Sequence, residues 1–117
     1  MASVGLGVDV IEIERIEHAL ERRPRLRERL FTKDELAYAD GKARPGRHLA
    51  ARFAAKEAVI KALAGARMAP SEIEIVAGAP PSVRLHGRAA DALGSRELSI
   101  SLTHSRETAA AVALASG

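Results

Sequence analysis

The pattern of apolar and polar positions divides the chain into helices first and strands afterwards. Residues 4–11 form a short apolar run with glycines at 5 and 7, and the run reads as a strand. Glycine inside a strand marks the close approach of another backbone or of a ligand. Asp9 is the only charge in that run. From Glu12 the period changes. Ile13, Ile16 and Leu20 recur at i, i+3 and i+7, which is one face of a helix, and Pro24 ends or interrupts it. Thr32-Lys33-Asp34-Glu35 has the form of a capping box and predicts a short helix to about Asp40, stopped by Gly41. After a loop to Gly46, the longest helix is predicted over residues 47–63. It is alanine-rich and free of internal breakers, with Pro45 at or just before its first turn. Short strands are predicted over 73–76 and 83–85 around a Gly78-Ala79-Pro80-Pro81 turn, then a short helix over 87–93. Leu98, Ile100 and Leu102 alternate along 97–104, so this segment reads as a half-buried strand, and residues 108–114 pair with it across Ser105-Arg106-Glu107. Helices followed mostly by strands predict an α+β fold with an antiparallel sheet.

Composition narrows the class. The 117 residues suit one domain, and 47% hydrophobic with 28% charged residues indicates a globular chain. A chain this short builds a limited core, which oligomer contacts can supplement. No cysteine is present, which excludes disulfides, thiolate zinc sites, iron–sulfur clusters and a cysteine nucleophile, and fits a cytoplasmic protein. The start, Met1-Ala2-Ser3-Val4, has no basic leader before a long apolar run, so no signal peptide is expected. No stretch reaches the ~18 apolar residues of a membrane span. The net charge is +3, and 14 arginines outnumber 4 lysines. This favours an anionic partner: a phosphate ligand, a nucleic acid or an acidic protein. The only aromatics are Phe31, Tyr38 and Phe53, too few for a base-stacking surface.

The segment that carries chemistry is Arg52-Phe53-Ala54-Ala55-Lys56-Glu57-Ala58-Val59-Ile60-Lys61. At ~100° per residue, Leu49, Phe53, Ile60 and Leu63 share one apolar stripe. Lys56 projects inside that stripe, Arg52 lies at one margin, and Glu57 and Lys61 lie at the other. Charges beside a buried face need partners, because desolvating an unpaired one costs several kcal/mol. Those partners are protein side chains, a metal or an anionic ligand. The plainer alternative is a solvated helix with an i, i+4 Glu57–Lys61 pair, worth about 0.3–0.5 kcal/mol. Asp9 has two readings as well: a strand-end acid facing water, or a ligand of Mg²⁺, which takes one or two carboxylates and completes its octahedron with waters and phosphate oxygens. His104, at the end of its strand, is either a satisfied surface histidine or a phosphate-facing donor. No serine sits in a nucleophile elbow, and Gly5-Leu6-Gly7 is too short for a phosphate loop.

Four segments in order then resemble the motifs of the holo-acyl-carrier-protein synthase family, the small 4′-phosphopantetheinyl transferases. They are the run from Gly5 to Ile16; Phe31-Thr32 with Glu35; the run from Leu49 to Leu63; and Ser99 to Ser105 with the alanine-rich strand after it. The resemblance implies an α+β fold with one long helix on a small antiparallel sheet, single-unit subunits assembling as a trimer, and active sites between subunits. It implies transfer of the phosphopantetheine arm of coenzyme A to a serine of an apo acyl carrier protein, as in fatty acid biosynthesis, leaving 3′,5′-ADP. Carried over by position, Asp9 and Glu57 would hold Mg²⁺ against the pyrophosphate, with Lys61 beside the same phosphates. Arg52, Lys56 and His104 would surround coenzyme A, with Arg44, Arg47 and His48 as weaker candidates for its 3′-phosphate. Glu57 and a water beside the metal are the alternatives for the base. Arg15 and the cluster Arg22, Arg23, Arg25, Arg27 and Arg29 would offer a basic docking surface to an acidic carrier. Two places depart from the family pattern: Ala64-Gly65-Ala66 stands where Gly-Thr-Gly is frequent, and the turn before Val83 lacks a frequent lysine. An inactive module that binds the carrier or coenzyme A is the alternative reading. A nucleic-acid binder is disfavoured by the scarce aromatics, and no membrane role is expected.

Overall fold

The computed structural model describes residues 4–117; Met1-Ala2-Ser3, on which part of the leader-segment reading rests, lies outside the described residues. Strand β1 (Gly5–Glu12) leads directly into helix α1 (Ile13–Arg22). The chain turns through α2 (Leu26–Leu30) and α3 (Lys33–Asp40) into the long helix α4 (Pro45–Ala62). A single 3-10 turn at Pro70–Glu72 precedes β2 (Ile73–Val76) and β3 (Ser82–Leu85); α5 (Gly87–Leu93), β4 (Glu97–His104) and β5 (Thr108–Ser116) complete the fold. The α+β expectation holds, and its sheet is two sheets. One is three-stranded and antiparallel, in the order β1-β5-β4; the other is the β2-β3 hairpin. The one helix not foreseen is α2. It has five residues, none buried, so it leaves no periodic apolar signal.

Local chemistry explains the boundaries. Helix α1 has no side-chain cap; its first amide, at Ile13, donates to the Glu107 carbonyl in the β4–β5 turn at 2.8 Å. Its buried residues are Ile13, Ile16 and Leu20, the three that set the helical period. The capping box of α3 is complete, with Thr32 Oγ1 accepting from the Glu35 amide and Glu35 Oε1 accepting from the Thr32 amide. Helix α4 starts at Pro45, two residues earlier than expected, because proline at the first position needs no N–H. It ends at Ala62. Ala64 then adopts a φ of 61°, a left-handed conformation that glycine takes without steric cost.

Helix α4 corrects the predicted apolar stripe. Leu49 and Leu63 are buried, but Phe53 and Ile60 are only half-buried. The main buried face is the small one: Ala51, Ala54, Ala55, Ala58 and Ala62. This face lies on Ala109, Ala111, Ala113 and Ala115 of β5 and on the two glycines of β1. A Cβ at Gly5 would fall 1.9 Å from the Ala62 carbonyl oxygen, and one at Gly7 would fall 1.9 Å from that of Ala58. The approaching backbone is therefore α4 itself. Small residues on both surfaces bring the helix down onto the sheet, while the larger Phe53 and Ile60 flank its open strip. Glu57 and Lys61 occupy that same strip.

Candidate active site

Two clusters of chemistry-bearing side chains lie at opposite edges of the three-stranded sheet. The first joins β1 to the last turns of α4. Along β1 side chains alternate, so Asp9 shares the helix-facing side with Gly7 and Ile11. Because α4 lies so close at the glycines, Lys61 reaches over the strand: its Nζ donates to Asp9 Oδ1 at 3.2 Å and to the Val8 carbonyl at 3.0 Å. Asp9 is largely shielded while Lys61 stays about half exposed, so this is a solvent-accessible contact and not a buried bond. Glu57, one turn earlier, makes no hydrogen bond or ion pair among the described residues. Burial raises its pKa, the charge on Asp9 raises it further, and Lys61 lowers it.

These observations fit a hard divalent cation. Two carboxylates converge, one without a protein partner and held above its ordinary pKa, and a cation between them would relieve that repulsion. Among the described residues no group of three or more His, Asp or Glu forms a complete cage. A Mg²⁺ ion at Asp9 and Glu57 would take its other ligands from water and from a phosphate-bearing molecule, as that ion prefers.

The second cluster surrounds a cavity of about 190 Å³ between α3, α4, the β2–β3 turn and the end of β4. Arg52 is 6% exposed and has no carboxylate partner among the described residues; its Nε is buried without a hydrogen bond. The guanidinium carbon instead lies 4.1 Å from the centroid of the Tyr38 ring, a cation–π stack. Tyr38 and His48 pack edge to face with centroids 5.8 Å apart, and His48 packs the same way on His104 at 5.7 Å. Burial lowers the His48 pKa, and the positive surroundings of Arg52, His104, Arg47 and Lys42 lower it further. A buried guanidinium with no carboxylate at ion-pair distance among the described residues, facing His48 and His104, suits an anion.

Other sequence-predicted residues lie elsewhere. Arg44 is not in this cavity. Its guanidinium is occupied by Glu17 at 2.8 and 3.1 Å and by the Arg106 carbonyl at 2.8 Å. Arg47 is half-buried, with its Nε unpaired. Lys56 requires a correction: it is 1% exposed, and its Nζ is 2.7 Å from Glu35 Oε1 and donates to the Pro70 carbonyl at 3.0 Å. It is not among the residues that line the Arg52 cavity, and withdrawing it would strand the Glu35 carboxylate in a dry interior. Arg15, Arg22 and Arg25 are exposed on α1 and the turn after it. Arg27 of the same cluster is committed to Asp40 through two 2.9 Å hydrogen bonds. Tyr38 is a site residue that the sequence pattern does not mark. Its one available signal was that it is the chain's single tyrosine, on the helix that the capping box defines.

The family profile of the 4′-phosphopantetheinyl transferase superfamily matches residues 5–114, nearly the whole chain and both clusters. The chain belongs to this superfamily. Among curated members of this phosphopantetheinyl transferase family, the holo-acyl-carrier-protein synthase of Moorella thermoacetica is 50% identical, the match covering 92% of this chain and 90% of the relative. That of Streptomyces coelicolor is 44% identical, with both chains covered completely. Among solved transferases, the ACPS–coenzyme A complex of Chronobacterium ammoniagenes superposes with a TM-score of 0.85 at 28% identity, covering 97% of this chain and 96% of the other. The chain is thus an enzyme of the phosphopantetheinyl transferase family, with that family's α+β fold.

Proposed function

We propose that this transferase moves the 4′-phosphopantetheine arm of coenzyme A to a serine of an apo acyl carrier protein in a Mg²⁺-dependent reaction that releases 3′,5′-ADP. The observation that carries this reading is the meeting of Asp9, Glu57 and Lys61 from β1 and α4. When bound, Mg²⁺ would supply charge neutralisation at the pyrophosphate. Lys61, on an exposed arm, exchanges its contact with Asp9 for a phosphate oxygen and stabilises charge growing on the departing 3′,5′-ADP. The serine oxygen forms the new P–O bond as the P–O bond to 3′,5′-ADP breaks, and its proton passes to Glu57 or to water. At the second cluster Arg52 and His104 hold a further phosphate of coenzyme A, with Arg47 outside the cavity on the first turn of α4 adding positive charge. The exposed arginines Arg15, Arg22 and Arg25 form the docking surface for an acidic carrier. Intact-mass spectrometry of an apo carrier incubated with the enzyme, coenzyme A and Mg²⁺ tests the reading. One added phosphopantetheine arm, absent in EDTA, is the expected result. A gain that EDTA leaves untouched overturns the metal assignment.

We further propose that the enzyme works as a trimer whose sites lie between subunits. The two clusters sit at the β1 and β4 edges of the sheet, with β5 between them, and the Arg52 cavity of about 190 Å³ is too small to enclose coenzyme A by itself. The outer sheet face also leaves Leu6, Val8 and Val10 at 60–69% exposure, next to Leu114. Such an apolar face on a small chain needs cover. Val8→Asp should convert the trimer to monomers in sedimentation analysis and abolish transfer. A wild-type enzyme that sediments as an active monomer would refute the assembly.

A further inference from the structure

The transferase reading leaves one feature unused, the buried ion pair between Glu35 and Lys56. Both side chains are 1% exposed. Their contacts run between elements. Glu35 Oε1 accepts from Lys56 and from the Thr32 amide that opens α3; Oε2 accepts from the Ile75 amide of β2 at 2.8 Å; Lys56 also reaches the Pro70 carbonyl. The Lys56 ammonium lies 5.5 Å from the centroid of the Phe31 ring. A buried pair of this kind contributes little net stability compared with well-packed apolar side chains. What it supplies is geometry, because a carboxylate with directed partners on three elements permits only one arrangement of them.

All three attachments adjoin the anion cavity. Glu35 lies one turn before Tyr38, Lys56 lies one turn after Arg52, and Ile75 itself lines the cavity. Arg52 makes no ion pair or side-chain hydrogen bond among the described residues, so its place depends on the Tyr38 ring and on the spacing of α3 from α4. We propose that the Glu35–Lys56 pair is a positioning device, fixing α3, α4 and β2 so that Arg52 is held against Tyr38 and presented to a phosphate of coenzyme A. The proposal rests on reading the cavity as part of the coenzyme A site. Glu35 and Lys56 act through Arg52 and touch no substrate.

The chain has one tyrosine and no tryptophan, so its intrinsic fluorescence reports Tyr38 alone. The test uses the full-length enzyme with Glu35→Gln/Lys56→Met, which removes both charges and leaves no unpaired ion. Glu35→Gln is the second variant; it retains an acceptor for one of the two amides. With folding checked by thermal melting, coenzyme A affinity should fall on the order of tenfold. KM for coenzyme A should rise with it, kcat and the carrier KM should stay within about twofold, and Tyr38 emission should differ from wild type. A folded variant with unchanged coenzyme A affinity overturns the proposal. So does weakened binding with wild-type Tyr38 emission, and so does loss of folding in both variants, which would make the pair a requirement of the fold. Wild-type enzyme that fails to bind coenzyme A would instead overturn the underlying site reading.

Discussion

Replacing Glu57 with glutamine is expected to lower kcat/KM for transfer by at least about a thousandfold, roughly 4 kcal/mol of transition-state stabilisation, with little change in stability. The asymmetry follows from its surroundings. Glu57 makes no hydrogen bond or ion pair among the described residues, so the fold loses no contact when its charge is removed. Its carboxylate is raised in pKa by burial and by Asp9, and neutralising it relieves that repulsion. Stability should therefore hold or rise slightly while activity disappears. Asp9→Asn should lose activity as well, but it also weakens the Lys61 contact. Steady-state kinetics with a thermal melt of each variant separates the two effects. A Glu57→Gln enzyme that retains more than about a tenth of wild-type kcat/KM would remove Glu57 from the reaction.

The parts of this arrangement that were legible in the sequence are those set by near neighbours. The Thr32–Glu35 box, the Ile13-Ile16-Leu20 stripe and the β4–β5 pairing each depend on residues within one or two turns or across one hairpin. The parts that were not legible depend on distant partners. Asp9 and Lys61 are 52 positions apart, and the motif resemblance, not the spacing, is what joined Asp9 to this helix. Lys56 was recognised as lying in an apolar stripe, yet nothing near it in sequence marks Glu35 or the Pro70 carbonyl as its partners. The buried face of α4 is hidden in the sequence for another reason. Alanine carries little hydropathic weight, so a face of alanines is overshadowed by Phe53 and Ile60 in any periodicity argument. Its value appears only against a surface of matching small residues, where backbone approach replaces side-chain interdigitation.

The same close approach makes Gly7 the position where one methyl group should do the most damage. Gly7→Ala would place a Cβ 1.9 Å from the Ala58 carbonyl oxygen and 2.8 Å from both the Ala58 carbonyl carbon and the Ala62 amide nitrogen. These are backbone atoms of the last turns of α4, so no rotamer change relieves the contact; helix and strand must separate. Overpacking of this kind is expected to cost about 3 kcal/mol or more. Separation also reaches the chemistry. Asp9 follows Gly7 on the same face of β1, while Glu57 and Lys61 flank Ala58 on α4. Whatever fraction stays folded should therefore show a weakened Asp9–Lys61 contact and reduced transfer. Gly41→Ala is the control, since its nearest neighbour would be 3.6 Å away. Urea unfolding followed by far-ultraviolet circular dichroism measures both. Gly41→Ala should stay within about 1 kcal/mol of wild type. A Gly7→Ala protein equally close would show that α4 does not rest on the β1 backbone as described, and the joining of Asp9 to Lys61 would lose its structural cause.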